Sequence, residues 1–254
     1  MNSYENKQFY RQFYEQATIA GENVSAEQRV PVTLSMFPNG IRSVLDLGCG
    51  DGTLLGIMDE TLFKVGIDIS HKVLRLVKRG HPIQASSEAL PFRRDTFDLL
   101  MCTEVLEHLP ATLFEATLNE IQKVAKKYIL ISVPFNEDIA QKEARCANCG
   151  HIFHIHLHLR SFNLLRLKKL FDVYKLRKVR FSGPQERTIP SWVLAIRRHY
   201  GHRWEWDKNV MCPQCGHTDH RRPQRTLISF ITSILACMTG KKHPKWVSAL
   251  YERQ

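Results

Sequence analysis

The sequence has no apolar run long enough to cross a bilayer. Its longest mostly apolar stretch, residues 226–239, holds fourteen residues, against the roughly twenty a membrane-spanning helix needs. Arg221, Arg222 and Arg225 precede it, and Lys241, Lys242 and Lys245 follow. Such a stretch reads as a helix that either packs on the domain or a partner subunit, or lies in a membrane interface as a peripheral contact. No N-terminal segment combines a basic start, an apolar core and a small-residue cleavage site, so a cytoplasmic protein is expected. Acidic residues are few beside basic ones, 25 against 36, for a net charge of +11. That balance suits an acidic partner (RNA, an anionic membrane surface, a phosphorylated substrate) or a generally basic surface. An even set of cysteines is also missing: there are seven, four of them in two Cys-x-x-Cys pairs, which favours metal over disulfides. With 254 residues and 43% apolar content, the chain suits one large domain with additions, or a domain plus a small module.

What the chain does have is a distinctive loop. The apolar run at 44–47, Val-Leu-Asp-Leu, passes into Gly48-Cys49-Gly50-Asp51-Gly52-Thr53, with glycine at every second position. This predicts a buried parallel strand, a turn whose backbone closely approaches a ligand, and a helix over 53–60. A dinucleotide loop has its third glycine one residue later and offers a helix N-terminus to a pyrophosphate. Here Asp46 and Asp51 would repel a phosphate and suit a ligand with a cationic, amino-acid-like end. Residues 63–68 predict a second strand ending in Asp68, followed by Ile69, where an acid can accept both ribose hydroxyls of a nucleoside-containing cofactor. Ser70 is placed to cap a helix over 72–79.

Residues 97–103 predict a further strand, ending at Thr103 and leading into Glu104-Val105-Leu106-Glu107-His108. Strand ends line the ligand crevice of open parallel sheets. Glu104, Glu107 and His108 either converge on a divalent cation such as Mg2+, or His108 acts as a general base. A helix over 115–126, a strand over 128–133, a helix from a Ser161 cap to 171, a strand over 174–181 and a helix over 190–200 follow. No seventh strand stands out; it lies either near Arg187 or beyond residue 217.

The loop resembles motif I of the class I S-adenosylmethionine-dependent methyltransferases, Asp-Leu-Gly-x-Gly-x-Gly. Residues 85–92, Ala-Ser-Ser-Glu-Ala-Leu-Pro-Phe, with 95–100 behind them, resemble the type 11 subgroup of that family. The resemblance covers about residues 40–180 and implies an α/β, Rossmann-like, doubly wound and mostly parallel sheet. It places S-adenosylmethionine against Asp46, Gly48, Cys49, Gly50, Gly52, Asp68, Ile69, Ser86, Ser87 and Thr103. At the position of Ser86 the subgroup often has an aspartate that contacts adenine, so this chain departs from the pattern there. The Glu-x-x-Glu-His turn is similar to that of ubiquinone-type O-methyltransferases. It is also similar to that of small-RNA 3′-terminal 2′-O-methyltransferases, in which it binds a divalent metal with a further histidine.

Cys146-Ala-Asn-Cys149-Gly150-His151 is answered by Cys212-Pro-Gln-Cys215-Gly216-His217. Each hexapeptide is a tight turn whose two thiolates can grip one face of a tetrahedral ion, so Cys146, Cys149, Cys212 and Cys215 are expected to hold a structural zinc. Between them His154, His156 and His158 alternate with apolar residues, as on one face of a strand. The expected organisation is a helical lead-in over 1–40, with Tyr10, Phe13 and Tyr14 on one face and a Ser25/Gln28 capping box. Similar segments in the family act as a lid. A methyltransferase core over 41–182 follows, with the knuckle and histidines inserted at 140–160, and then a C-terminal extension over 183–254.

The function expected is methyl transfer to an oxygen, less readily a nitrogen, of a small-molecule, glycan or lipid-linked substrate. The alternative is a metal-assisted RNA 2′-O-methyltransferase using Glu104, Glu107 and His108. A non-enzymatic zinc-stabilised binding protein would have a decayed cofactor loop, and this loop is intact.

Overall fold

The computed structural model describes residues 24–207, 210–218 and 224–254. Tyr10, Phe13, Tyr14 and the Ser25 side chain lie outside the described residues. In chain order the elements are α1 (Val24–Leu34), β1 (Ser43–Leu47), α2 (Thr53–Ile57), β2 (Phe63–Asp68), α3 (His71–Leu74), β3 (His81–Gln84), β4 (Phe97–Thr103), α4 (Ala111–Val124) and β5 (Ala125–Pro134). A short 3-10 turn (Ile139–Lys142) leads to β6 (Glu143–Arg145) and β7 (Ile152–His154). Then come α5 (Leu164–Lys168), β8 (Tyr174–Thr188), α6 (Ser191–His199), α7 (Leu227–Thr239) and β9 (Lys241–Arg253).

Seven strands form one sheet in the order β3-β2-β1-β4-β5-β9-β8. The first five are parallel; β9 runs antiparallel to both β5 and β8. Side chains alternate across a strand, and both faces are covered, which explains the near-continuous apolar runs. Leu45, Leu47, Leu100, Ile129 and Ile131 enter one core with Leu118 and Ile121 of α4. Val44, Leu99, Met101 and Leu130 enter the other with Val30 of α1 and Leu54 and Leu55 of α2. The arrangement is therefore the expected α/β, doubly wound one. In α4, Phe114, Thr117, Leu118, Ile121 and Val124 are buried at helical spacing. Among the described residues no helix is long and apolar enough to cross a membrane.

The seventh strand is β9, beyond residue 217 as one of the two expected placements had it, and it sits between β5 and β8. β8 runs through residues 182 and 183 and stays paired with β9 as far as Thr188↔Lys241. Two local expectations need correction. The histidine stretch is not one strand: β7 ends at His154, and Leu157 adopts φ 58, turning the chain so that the rings of His154 and His158 stack at 4.6 Å. The helix assigned to a Ser161 cap is capped instead by Asn163, whose side chain accepts from the Arg166 amide.

Candidate active site

The site is built at the carboxyl ends of the parallel strands. Where β1 ends, the Gly48 and Cys49 amides both donate to the Ile67 carbonyl, at 2.7 and 2.9 Å. The Gly50 amide donates to Asp68 Oδ2 at 3.0 Å. Gly48 has φ 76, and a Cβ there would lie 2.2 Å from Val105 Cγ2, so both the turn and the close approach of the next loop require glycine.

Around this turn is a cavity of about 440 Å³, within the range of small-molecule sites. Asp46, Gly48, Cys49 and Gly50 line it from the first loop, Asp68 and Ile69 from the end of β2, Ser86 and Ser87 from beyond β3, and Thr103, Glu104 and His108 from the end of β4. Two expected residues do not line it. Gly52 opens α2, where a Cβ would meet Val77 at 2.9 Å. Glu107 lies buried behind the wall.

Asp46 is the electrostatic anomaly. It is buried, and among the described residues neither carboxylate oxygen has a hydrogen-bond partner. Burial pushes its carboxyl up to about 7, with Arg29 pulling it down and Asp68 pushing it up. Arg29 is a cavity residue the sequence reading missed. It reaches in from α1, its Nε and Nη1 make no hydrogen bond among the described residues, and Nη1 stands 3.9 Å from Glu104 Oε1. A single arginine within a helix has no spacing signature that could have marked it. Glu104 adopts φ 56, and its Oε2 accepts from Trp246 Nε1 of β9 at 3.0 Å.

Asp68 is held at its strand end by the Gly50 amide and by the Ser70 amide, which donates to Oδ1 at 2.9 Å. The hydroxyl of Ser86 bonds to the carboxylate of Glu88, and Glu88 lines the same cavity.

Glu104, Glu107 and His108 do not converge. Glu104 turns to Trp246, whereas Glu107 and His108 gather with His158, their ligand-type atoms within 4.8 Å of one another. Glu107 is fully buried, and among the described residues both of its oxygens lack a hydrogen-bond partner. Burial, reinforced by Glu104, pushes its carboxyl well up. The His108 and His158 rings meet edge to face at 4.7 Å; burial, then the neighbouring histidines, hold His108 well below the usual imidazole range. Behind His158, Glu137 Oε2 lies 2.5 Å from His158 Nδ1. Burial opposes ionisation of Glu137, but hydrogen bonds from His154 and His158 outweigh it and hold the carboxyl down. The Leu159 amide donates to the Glu107 carbonyl at 2.8 Å and Arg160 Nη1 to the Leu106 carbonyl at 3.0 Å, fastening the histidine turn to the wall of the site.

The four knuckle cysteines cluster within 4.8 Å of one another. Cys146 and Cys215 Sγ lie 3.6 Å apart, and Cys149 and Cys212 Sγ 3.7 Å apart. A tetrahedral zinc with Zn–S near 2.3 Å has sulfur–sulfur edges of about 3.8 Å, so the thiols fit that ion. The two turns match: the Cys146 amide donates to the His151 carbonyl at 2.8 Å and the Cys212 amide to the His217 carbonyl at 2.9 Å. Ala144, Cys146, Phe153, Leu157, Val210 and Cys212 form a small core beneath.

Residues 45–130 match the family model described as a methyltransferase domain. Over 131 residues the chain is 37% identical to an uncharacterized protein of Methanocaldococcus jannaschii, a stretch covering 51% of this chain and 56% of that protein. Over 110 residues it is 31% identical to a tRNA (carboxymethyluridine(34)-5-O)-methyltransferase of Arabidopsis thaliana, covering 41% of this chain and 27% of that one. Over 87 residues it is 37% identical to a ubiquinone biosynthesis O-methyltransferase of Ralstonia nicotianae, covering 30% and 36%. The chain therefore spans just over half the length of the first of these relatives and less of the others. The fold is similar to that of a SAM dependent methyltransferase from Archaeoglobus fulgidus, with a TM-score of 0.53 at 17% identity, covering 98% of this chain and 100% of that one. Residues 45–130 thus carry the pattern of a methyltransferase domain, on a seven-stranded α/β fold similar to that of a SAM dependent methyltransferase.

Proposed function

We propose that the chain transfers a methyl group to an oxygen of a small-molecule, glycan or lipid-linked acceptor. The observation that carries this reading is the buried Asp46 carboxylate, which has no hydrogen-bond partner among the described residues and faces the cavity beside the glycine turn. A buried anion without a partner is costly unless a cation joins it. S-adenosylmethionine, when bound, supplies that cation and an electrophilic methyl group. Asp46 would face its charged amino-acid end, Arg29 its carboxylate, Asp68 the ribose hydroxyls, and Glu88 with the amides near Ser86 the adenine. The described part of the N-terminal segment covers the site through Arg29 and Val30, as a lid does. His108, kept neutral by its surroundings, accepts a hydrogen bond from the acceptor hydroxyl and aims its oxygen at the methyl group, and this orientation by the cavity wall supplies most of the acceleration.

One observation favours a second reading. The unpartnered Glu107 oxygens beside His108 and His158 form a donor set suited to a divalent cation, which would polarise an acceptor hydroxyl. Together with the net charge of +11 and a relative that acts on tRNA, this suits RNA as acceptor. Incubation of the purified chain with methyl-labelled S-adenosylmethionine and a cell extract separates the two. Label in the organic or small-glycan fraction is expected; label in a nuclease-sensitive fraction would replace the small-molecule acceptor with RNA.

A further inference from the structure

Helix α7 is inside out. Its buried side carries Ser229, Thr232 and Ala236, and Ala236 packs with Val193 and Leu194 of α6. Its exposed side carries Leu227, Phe230, Ile231, Ile234 and Met238, each between 47% and 78% exposed. Those five fall at i, i+3, i+4, i+7 and i+11, one continuous stripe along a helix. A surface helix ordinarily turns its large apolar side chains inward and its hydroxyls to water. Here Ser229 and Thr232 satisfy their hydroxyls on the helix's own carbonyls, Thr226 and Ile228, so burying them needs no outside partner. The stripe is too large and continuous to be scattered surface hydrophobicity. Trp192 of α6 and Tyr200 just past its end are also exposed, residues whose amphipathic rings favour a boundary between water and lipid.

The charges around the stripe choose its occupant. Exposed Arg225 stands before the helix and exposed Lys241 and Lys242 after it, and no acidic residue occurs from 224 to 251. Arg187 Nη1 donates to the Cys237 carbonyl in the last turn at 2.5 Å, placing a further cation there. A second copy pairing stripe to stripe would set these cationic ends against one another or against their own kind. Anionic lipid headgroups would instead complement both ends while the acyl region takes the stripe.

We propose that α7 is a peripheral membrane-docking element that lies in the headgroup region of an anionic bilayer, its stripe facing the acyl chains. The inference does not depend on the methyl acceptor or on the assignment of His108. The test uses the full chain, sedimented with vesicles of phosphatidylcholine alone or with about 30% phosphatidylserine. Binding to the anionic vesicles is expected to be at least about tenfold tighter than to the neutral ones. The double variant Phe230→Glu/Ile234→Glu should lose at least about tenfold of that binding, while circular dichroism and S-adenosylmethionine affinity stay unchanged. Failure to pellet with anionic vesicles overturns the proposal, as does pelleting that the variant leaves intact. A wild-type dimer that the same variant turns into a monomer on analytical ultracentrifugation also overturns it and gives the face to a second copy.

Discussion

Arg29 Nη1, carried on α1, stands 3.9 Å from Glu104 Oε1 at the end of β4. The pair is too long for a hydrogen bond and leaves the guanidinium with capacity to spare. Asp46 lines the same cavity, where burial pushes its carboxyl up and Arg29 pulls it down, so one cation acts on two carboxylates before any ligand arrives. A zwitterionic amino-acid group fits such a site from both sides, its carboxylate on Arg29 and its positive charge toward the acids.

Replacing Arg29 by Gln should therefore weaken S-adenosylmethionine binding by roughly tenfold to a hundredfold, the value of one or two charge-assisted hydrogen bonds. Titration calorimetry reads the change. Binding that survives intact would remove Arg29 from the cofactor site.

Cofactor affinity should depend on pH through Asp46, whose carboxyl lies at about 7 in the ligand-free fold. Below that value the site must give up a proton to accept a cation, so affinity falls by about tenfold per pH unit under pH 7 and is flat above it. The sign for stability is opposite. The contribution of Asp46 to the ligand-free fold is fully present below the unfolded value of 3.8 and is lost as pH rises through about 7. The cofactor should thus raise the melting temperature more at pH 8 than at pH 6, and Asp46→Asn should abolish that difference.

Gly48→Ala places a methyl group 2.2 Å from Val105 Cγ2 at a φ of 76. The cost expected is about 1–3 kcal/mol, together with loss of cofactor binding. Val105→Ala in the same chain should recover part of the stability, because the collision is with a side chain. Chemical denaturation of the single and double variants measures the coupling.

Much of this was legible in advance for a simple reason. Val44, Leu45 and Leu47 are buried on both faces of a parallel sheet, so their strand reads as an apolar run, and the glycine turn after it is fixed by backbone geometry. β9 was not legible. It opens with Lys241, Lys242 and Lys245 and contains Pro244, and only its second half, from Trp246 to Tyr251, is continuously buried. Nor could spacing show that Leu157 would take a left-handed turn and carry His158 back against His108. Glu88 escaped notice because the expected acid belonged two residues earlier, at Ser86.

Glu107→Gln removes a buried carboxylate that has no hydrogen-bond partner while keeping its shape. Stability should hold or rise by about 1 kcal/mol, and turnover should stay within about threefold; a hundredfold fall would instead favour the metal-assisted reading. A parallel loss of melting temperature and rate would make Glu107 purely structural.

The cysteine cluster should carry one zinc per chain, measured by atomic emission, and Cys149→Ser should release it. Because the small core around Phe153 and Val210 is separate from the sheet cores, the loss should appear as local protease sensitivity near residues 144–157. Cofactor binding should change by less than about threefold, since structural metal sites stabilise mainly the segment they close.

The position of β9 between β5 and β8 sets the order in which the molecule can be assembled. The ribosome delivers five parallel strands and then β8, whose only strand partner among the described residues is β9. Until residues 241–253 emerge, β5 presents a bare edge and β8 has nothing to pair with, and bare edges invite pairing between chains. The pairing that closes the sheet joins segments far apart in the chain, which slows folding. Nascent chains of this protein should be held by chaperones until that strand is released, and refolding should be slow, concentration-sensitive and limited by the insertion of one strand into a waiting slot.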